Sequence, residues 1–278
     1  MSRLTHGGRV LELPAHGILL VGTDLQGNLA DGRRLLERFE AEGPDAQLVL
    51  TGDVVHGPGD ELLDSWPDFL GTPYRDESPA LLELVWQAQA RFPGRVHCLL
   101  GNHEHSHVGG PVTSKFHDDE AQALEARLGP EGAERLRAWV ARLPWVATSR
   151  CGAVLCHAAP GARFERLDEL EAAALVPPER PSIDAFFEDE LLGRLLWARR
   201  ASEDDAEAFL RACGGNVAIF GHDVVREGYA IDGAQQLCVS TSFGLYDADK
   251  RYVRLELSSH YDDARSVEAS GAILPLYG

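Results

Sequence analysis

The 278-residue chain has no apolar run approaching the ~18 residues that a membrane-spanning helix needs. Its opening residues, Met1 to Gly8, lack the apolar segment of a secretory signal. Its five cysteines, Cys98, Cys151, Cys156, Cys213 and Cys238, are odd in number and none is spaced CxxC. That argues against a disulfide framework and against a zinc–thiolate site. Reduced packing residues of a cytoplasmic protein are expected instead. Positive charge is scarce: 26 Lys and Arg stand against 44 Asp and Glu, a formal net charge of −18. Such a surface repels bulk nucleic acid and anionic membranes, tolerates one local basic pocket for a phosphate, and favours gathering divalent cations. Internal repeats, low-complexity segments and linkers are absent as well, so a single domain over residues 1–278 is expected.

What the chain does have is a recurring phrase. Five apolar runs each end in a metal-capable polar residue, usually through a glycine or threonine. They are Ile18-Leu19-Leu20-Val21-Gly22-Thr23-Asp24, Leu48-Val49-Leu50-Thr51-Gly52-Asp53, Leu99-Leu100-Gly101-Asn102-His103-Glu104, Ala153-Val154-Leu155-Cys156-His157 and Val217-Ala218-Ile219-Phe220-Gly221-His222. Short apolar runs bounded by turns read as buried strands, and α/β proteins gather their ligands at the carboxyl ends of such strands. Turn chemistry accounts for Asp, Asn and Gly at these ends, but not for two histidines that also close apolar strands.

Between these strands the spacing predicts helices over 31–42, capped by Asp31, and over 78–92, opened by Ser78-Pro79. Further helices are expected over 118–128, 130–142, 164–176, 183–198 and 203–213, with a break at Val176-Pro177-Pro178. A hairpin is predicted from 145–148 and 153–156, and two last strands from 236–240 and 252–257. Strand–helix–strand order implies parallel pairing in the first half of the chain.

Asp24, Gln26, Asp53, Asn102, His157 and His222 are thus the candidate metal ligands. Carboxylate, amide oxygen and imidazole together suit Mn²⁺, Fe, Zn²⁺ or Mg²⁺ better than Ca²⁺ alone. Two such ions about 3.5–4 Å apart can deprotonate a shared water near neutral pH and neutralise a phosphoryl group under attack.

These blocks resemble the calcineurin-like metallophosphoesterases, and within them the phosphoprotein phosphatase branch of Ser/Thr phosphatases and diadenosine tetraphosphatases. The family pattern of GDxHG, GDxxD, GNHE, a later His turn and a final GH corresponds to Thr23–Asn28, Gly52–Gly57, Gly101–Glu104, Cys156–Pro160 and Gly221-His222. Phe220–Tyr229 is similar to the family's AHQVVEDGY segment, and Leu195-Leu196-Trp197 to its LLW segment. The similarity spans about residues 18–257. The resemblance implies an α/β fold, a four-layer αββα sandwich with two mixed sheets. It implies Asp24 and Gln26 on a first metal, Asp53 bridging, and Asn102, His157 and His222 on a second. By the same resemblance His103 is the general acid, and Asn102, Arg199 and Arg200 are candidate substrate contacts.

Two departures matter. Gln26 stands where the family usually has His, which weakens the first site and favours harder ions such as Mn²⁺ or Mg²⁺. His56-Gly57 replaces an Asp-Arg pair; the Asp would orient the catalytic imidazole and the Arg would clamp phosphate. Asp60 is left as a carboxylate candidate, and His56 as either a supporting group or a loop residue. His105 and His107 read as loop residues, Glu104 as a supporting group, and Trp197 as a packing anchor. Residues 57–77 and 105–117 are expected to wall the substrate cleft. The reading is a metal-dependent hydrolase of phosphomonoesters on phosphorylated protein or a small phosphoester. The alternatives are a dinucleoside polyphosphate hydrolase and a silent phospho-ligand-binding module.

Overall fold

The computed structural model describes residues 1–176, 183–189 and 191–278. In chain order its strands are β1 (Arg3–Thr5), β2 (Val10–Glu12), β3 (Ile18–Gly22), β4 (Gln47–Leu50), β5 (Val96–Cys98), β6 (Val146–Thr148), β7 (Ala153–Leu155), β8 (Val217–Phe220), β9 (Tyr229–Asp232), β10 (Gln236–Val239), β11 (Arg251–Glu256) and β12 (Ile273–Pro275). They form two mixed sheets, ordered β1-β2-β6-β7-β8-β10-β9 and β12-β11-β3-β4-β5. β3, β4 and β5 pair in parallel, as the intervening helices require, and β6 and β7 form the expected antiparallel hairpin.

Residue alternation sorts the core into layers. Leu19, Val21, Val49, Val253 and Leu255 of one sheet pack with Leu155, Val217, Ile219, Leu237 and Val239 of the other. Their neighbours Leu20, Leu48 and Leu50 face the opposite way, against Leu35, Phe39, Leu81 and Leu82 of helices Leu29–Ala41 and Ser78–Arg91. On the far side Ala218 and Phe220 meet Phe209 and Leu210 of helix Glu203–Cys213. Side chains alternate across a strand, so each strand serves two apolar layers, and helices cover both outer faces. The result is the four-layer αββα sandwich.

Several local expectations shift. Asn28, not Asp31, caps the first long helix by accepting from the Asp31 N–H at 3.1 Å. The Asp31 carboxylate instead sits buried against Lys250 Nζ at 2.8 Å, with Ser242 and Tyr277 donating to it. Helix Ser78–Arg91 has Glu77 at its cap position, and the Ser78 hydroxyl is used elsewhere: it donates to Asp76 and accepts from the His56 N–H. The two helices expected around residue 129 are present: Glu120–Val140 is interrupted at Gly129, whose φ of 71° and ψ of 174° are not helical, just before Pro130. Within 164–176 only Asp168–Ala172 is helical, and 183–198 holds Ile183–Asp189 and Leu191–Trp197. The expected Pro177-Pro178 break lies outside the described residues. No described helix is long and apolar enough to cross a membrane.

Candidate metal centre

β3, β4, β5, β7 and β8 all deliver their chains to one edge of the sandwich. The loops leaving them are held in an unfavourable backbone region. Six non-glycine residues among those described have positive φ, and five are at this edge: Asp24 (47°), Gln26 (37°), Asp53 (53°), His56 (67°) and His222 (66°). Each costs on the order of 1–3 kcal/mol and persists only where the surroundings over-determine it. The glycines beside them permit close approach. A Cβ on Gly101 would stand 2.4 Å from Asp53 N, and one on Gly221 would stand 2.0 Å from Asp24 Oδ2.

The side chains so aimed converge. Asn102 Oδ1 is 2.8 Å from His157 Nε2 and 3.0 Å from His222 Nδ1, and the two imidazole nitrogens are 3.2 Å apart. Asp53 Oδ1 is 3.4 Å from His157 Nε2. Donors about 2.0–2.2 Å from a shared ion lie roughly 3.0–3.5 Å from one another, so these four fit one cation. His157 Nδ1 faces the Thr51 carbonyl at 3.0 Å, which puts the proton on Nδ1 and leaves Nε2 free to ligate. On the other side of Asp53, its Oδ2 is 3.4 Å from Gln26 Nε2. The Asp24 carboxylate accepts from the His222 N–H at 3.0–3.1 Å. Gln26 turns its amide oxygen to Lys115, so the amide must rotate for that oxygen to ligate an ion.

Electrostatics point the same way. Asp24 is buried beside Asp53, and burial together with their mutual repulsion raises the Asp24 carboxyl to about 7. Burial raises Asp53 to about 7 as well, against the N–H bond from His103. Burial lowers His157 and His222, keeping both imidazoles neutral. Two clustered acids that resist ionisation and two neutral imidazoles form a donor set whose charge a cation completes.

His103 sits at this edge with Nε2 3.8 Å from Asp53 Oδ2, and Arg199 lines the same cleft. Arg199 is largely exposed and bonded to Asp223 at 2.9 Å. Arg200 points elsewhere, into a neighbouring groove with Asp223 and Ile231. The cleft holds about 280 Å³ and its wall comes from Val112–Lys115, Trp197 and Arg199, with none from 57–77. Asp60 lies on the surface 3.6 Å from Arg75, so it does not orient His103. Glu104 has a role the sequence left open: its carboxylate accepts from the N–H groups of Asp53 and Val54.

Two participants escaped the sequence reading, and a third, His107, was read as a loop residue. Lys115, one of only two lysines in the chain, projects its ammonium into the cleft 3.4 Å from Gln26 Oε1 and 3.6 Å over the Phe243 ring. Its rarity in so arginine-rich a chain was the one available signal. Glu120 approaches His103 Nδ1 to 3.6 Å, and His107 touches His56 at 3.0 Å. Neither carries a motif.

Comparison with known proteins agrees with this geometry. The family model for calcineurin-like phosphoesterases matches residues 19–226. No curated protein matches the chain in sequence. Among solved structures, it is similar to a protein serine/threonine phosphatase from Saccharomyces cerevisiae with similarity to human phosphatase PP5. That pair has 15% identity and a TM-score of 0.61, covering 90% of this chain and 77% of that one. It is also similar to a cold-active protein-tyrosine phosphatase of a psychrophilic Shewanella, at 15% identity and a TM-score of 0.60, covering 91% and 80%. Such distant likenesses establish the sandwich alone. The family match spans four of the strands that build the metal-ready edge together with the helices between them, and on it the chain belongs to the calcineurin-like phosphoesterase family of metal-dependent phosphoesterases.

Proposed function

We propose that this chain hydrolyses phosphomonoesters, on phosphorylated protein side chains first, using two divalent cations. Asp24, Gln26 and Asp53 hold one ion; Asp53, Asn102, His157 and His222 hold the other. Bound there, the pair supplies a water acidic enough to attack at neutral pH and offsets phosphoryl charge. The amide ligand at Gln26 favours Mn²⁺ or Mg²⁺ at the first position.

The chain's own groups do the rest. Lys115 and Arg199 face the phosphoryl oxygens as cations, with the Asn102 amide beside them. His103 Nε2 gives a proton to the departing oxygen. Burial lowers this imidazole, so the ring rests neutral and takes up at Nε2 the proton it then passes on. Five free, buried cysteines support a reducing, cytoplasmic setting.

The observation that carries the reading is the meeting of Asp53, Asn102, His157 and His222 donors within 3.4 Å of a neighbour. At about 280 Å³ the cleft admits a phosphoryl group and the residue bearing it. The two solved relatives are themselves named protein phosphatases.

A panel of phosphopeptides, p-nitrophenyl phosphate and diadenosine tetraphosphate, each with Mn²⁺, Mg²⁺, Zn²⁺ or EDTA, tests the proposal. Turnover of the monoesters, abolished by EDTA, is expected. Cleavage of the dinucleotide alone overturns the substrate assignment. One ion or none per chain, with no turnover anywhere, identifies a silent binding module.

A further inference from the structure

Behind His103 runs a line of side chains of which only His56 stands at a motif position, where it replaces an Asp. His103 Nδ1 meets His56 Nδ1 at 3.0 Å. His56 Nε2 meets His107 Nε2 at 3.0 Å. His107 Nδ1 meets Glu125 Oε1 at 3.0 Å, and the other Glu125 oxygen takes a hydrogen bond from Arg137. His56 and His107 are buried, and burial lowers both, so each imidazole is neutral. His56 is fixed at φ 67° by the Ser78 hydroxyl on its N–H.

From these contacts we infer that Glu125, acting through His107 and His56, sets which nitrogen of His103 carries the proton. An ionised carboxylate only accepts, and a neutral imidazole has one N–H and one lone pair. The line therefore has one self-consistent register. His107 Nδ1–H donates to Glu125, which leaves Nε2 as an acceptor. His56 Nε2–H donates to His107, and His103 Nδ1–H donates to His56. The His103 Nε2 lone pair is left facing Asp53 and the cleft. Glu120 Oε2 has no hydrogen-bond partner and lies 3.6 Å from His103 Nδ1, where its charge favours the same tautomer.

The register matters for the acid role assigned above, on which this inference rests. Taking a proton from solvent at Nε2 makes an imidazolium whose Nδ1–H keeps His56 as its acceptor, and passing the Nε2 proton to the departing oxygen returns the neutral ring with Nδ1–H. In the reversed order the His56 Nδ1–H faces His103 Nδ1, so the imidazolium would set two N–H groups against each other, and the Nε2–H ring alone would give its proton only by becoming imidazolate, which is far costlier. Glu125, His107 and His56 are thus positioning residues. They do at three removes what a single carboxylate behind His103 would do directly, where Asp60 is turned away.

Glu125→Gln is the sharpest test. The Arg137 guanidinium can only donate, so it favours the amide oxygen and turns the NH2 to His107. The line then favours the reverse order, with His103 as Nε2–H, against the pull of the Glu120 carboxylate. Nitrogen-15 spectra of Zn²⁺-loaded protein, with His103 assigned by difference against His103→Asn, should show Nδ1–H in the parent and Nε2–H in the variant. In turnover, Glu125→Gln and His107→Phe should each lower kcat on phenyl phosphate about tenfold or more. Activity on 2,4-dinitrophenyl phosphate, whose leaving group needs no proton, should change less than twofold, with KM unmoved. An unchanged His103 tautomer in Glu125→Gln, or equal losses on both esters, overturns the inference. The spectra need no substrate, so absence of hydrolysis in every protein refutes the proposed function while leaving the tautomer assignment to be decided.

Discussion

Glu104 Oε2 accepts from the Asp53 N–H at 2.7 Å, while its Oε1 accepts from the Val54 N–H at 2.8 Å. One buried carboxylate therefore grips the strained turn that presents the Asp53 side chain between the two candidate ion positions. Burial beside Asp53 raises the Glu104 carboxyl, and the two N–H donors counter this.

Glu104→Gln tests the grip. An amide offers one acceptor and sets an NH2 against a backbone N–H, leaving a buried donor unmet. Unfolding free energy should fall by about 1–3 kcal/mol. Metal retention should fall with it, since Asp53 loses its backbone clamp. Urea melts and metal analysis on the same preparation check both, and an unchanged midpoint would remove Glu104 from this role.

Asp53→Asn should stabilise the chelated protein and destabilise the loaded one. The folded carboxyl is raised to about 7 from 3.8. Its contribution to stability is therefore complete below the unfolded value and is lost as pH climbs through the folded one. In EDTA, the variant and the parent should melt together near pH 4, and the variant should melt several degrees higher at pH 8. Chains of this size shift about 2–4 °C per kcal/mol. Added Mn²⁺ should reverse the order, because only the parent gains the full linkage from binding. Thermal melts across pH 4–8, with and without Mn²⁺, decide it; a gap that ignores pH counts against the buried-charge account.

How far the sequence carried this picture follows from where the information sits. Apolar runs such as Ile18–Val21 and Val217–Phe220 are buried on both faces and announce themselves, and their terminal residues are necessarily carried to one edge. β1 and β9 expose half or more of their residues, so no apolar run marks them. Helix Ala264–Ala269 is too short for its period to register. That Asp24, Asp53, Asn102, His157 and His222 meet at one edge was legible because each is local to a strand end. The His56–His107–Glu125 line was not. Its members are 51 and 18 residues apart and meet only because the loop after β5 folds back beneath helix Glu120–Val140. The positive φ at Asp24, Gln26, Asp53, His56 and His222 was equally hidden, since nothing in an Asp or His marks it for the left-handed region.

Lys115→Met should separate phosphate grip from metal holding. Methionine keeps the length and the packing on Phe243 but drops the charge. A charge-assisted contact to phosphate is worth about 1.5–3 kcal/mol, so KM and the inhibition constant for inorganic phosphate should rise about tenfold or more. Metal affinity should rise slightly, because the ammonium 3.4 Å from Gln26 Oε1 opposes a cation there. Steady-state kinetics and metal titration of one preparation read both. Unaltered phosphate inhibition would place Lys115 among packing residues.

His103→Asn isolates the proton transfer. The asparagine retains a polar side chain at the N-terminal turn Asn102–His105 and leaves the N–H bond to Asp53 Oδ1 available, so the bridge position is preserved. Metal content should match the parent. Removing a general acid lowers rate by about 10²–10⁴, and the loss should fall on kcat while KM holds, the mark of a group that acts in the transition state. Across a series of aryl phosphates the penalty should shrink as the leaving phenol becomes more acidic, since a good leaving group departs without a proton. A penalty independent of the phenol would assign His103 to holding the bridge rather than to donating the proton. A variant that has lost metal would move its function to assembling the centre.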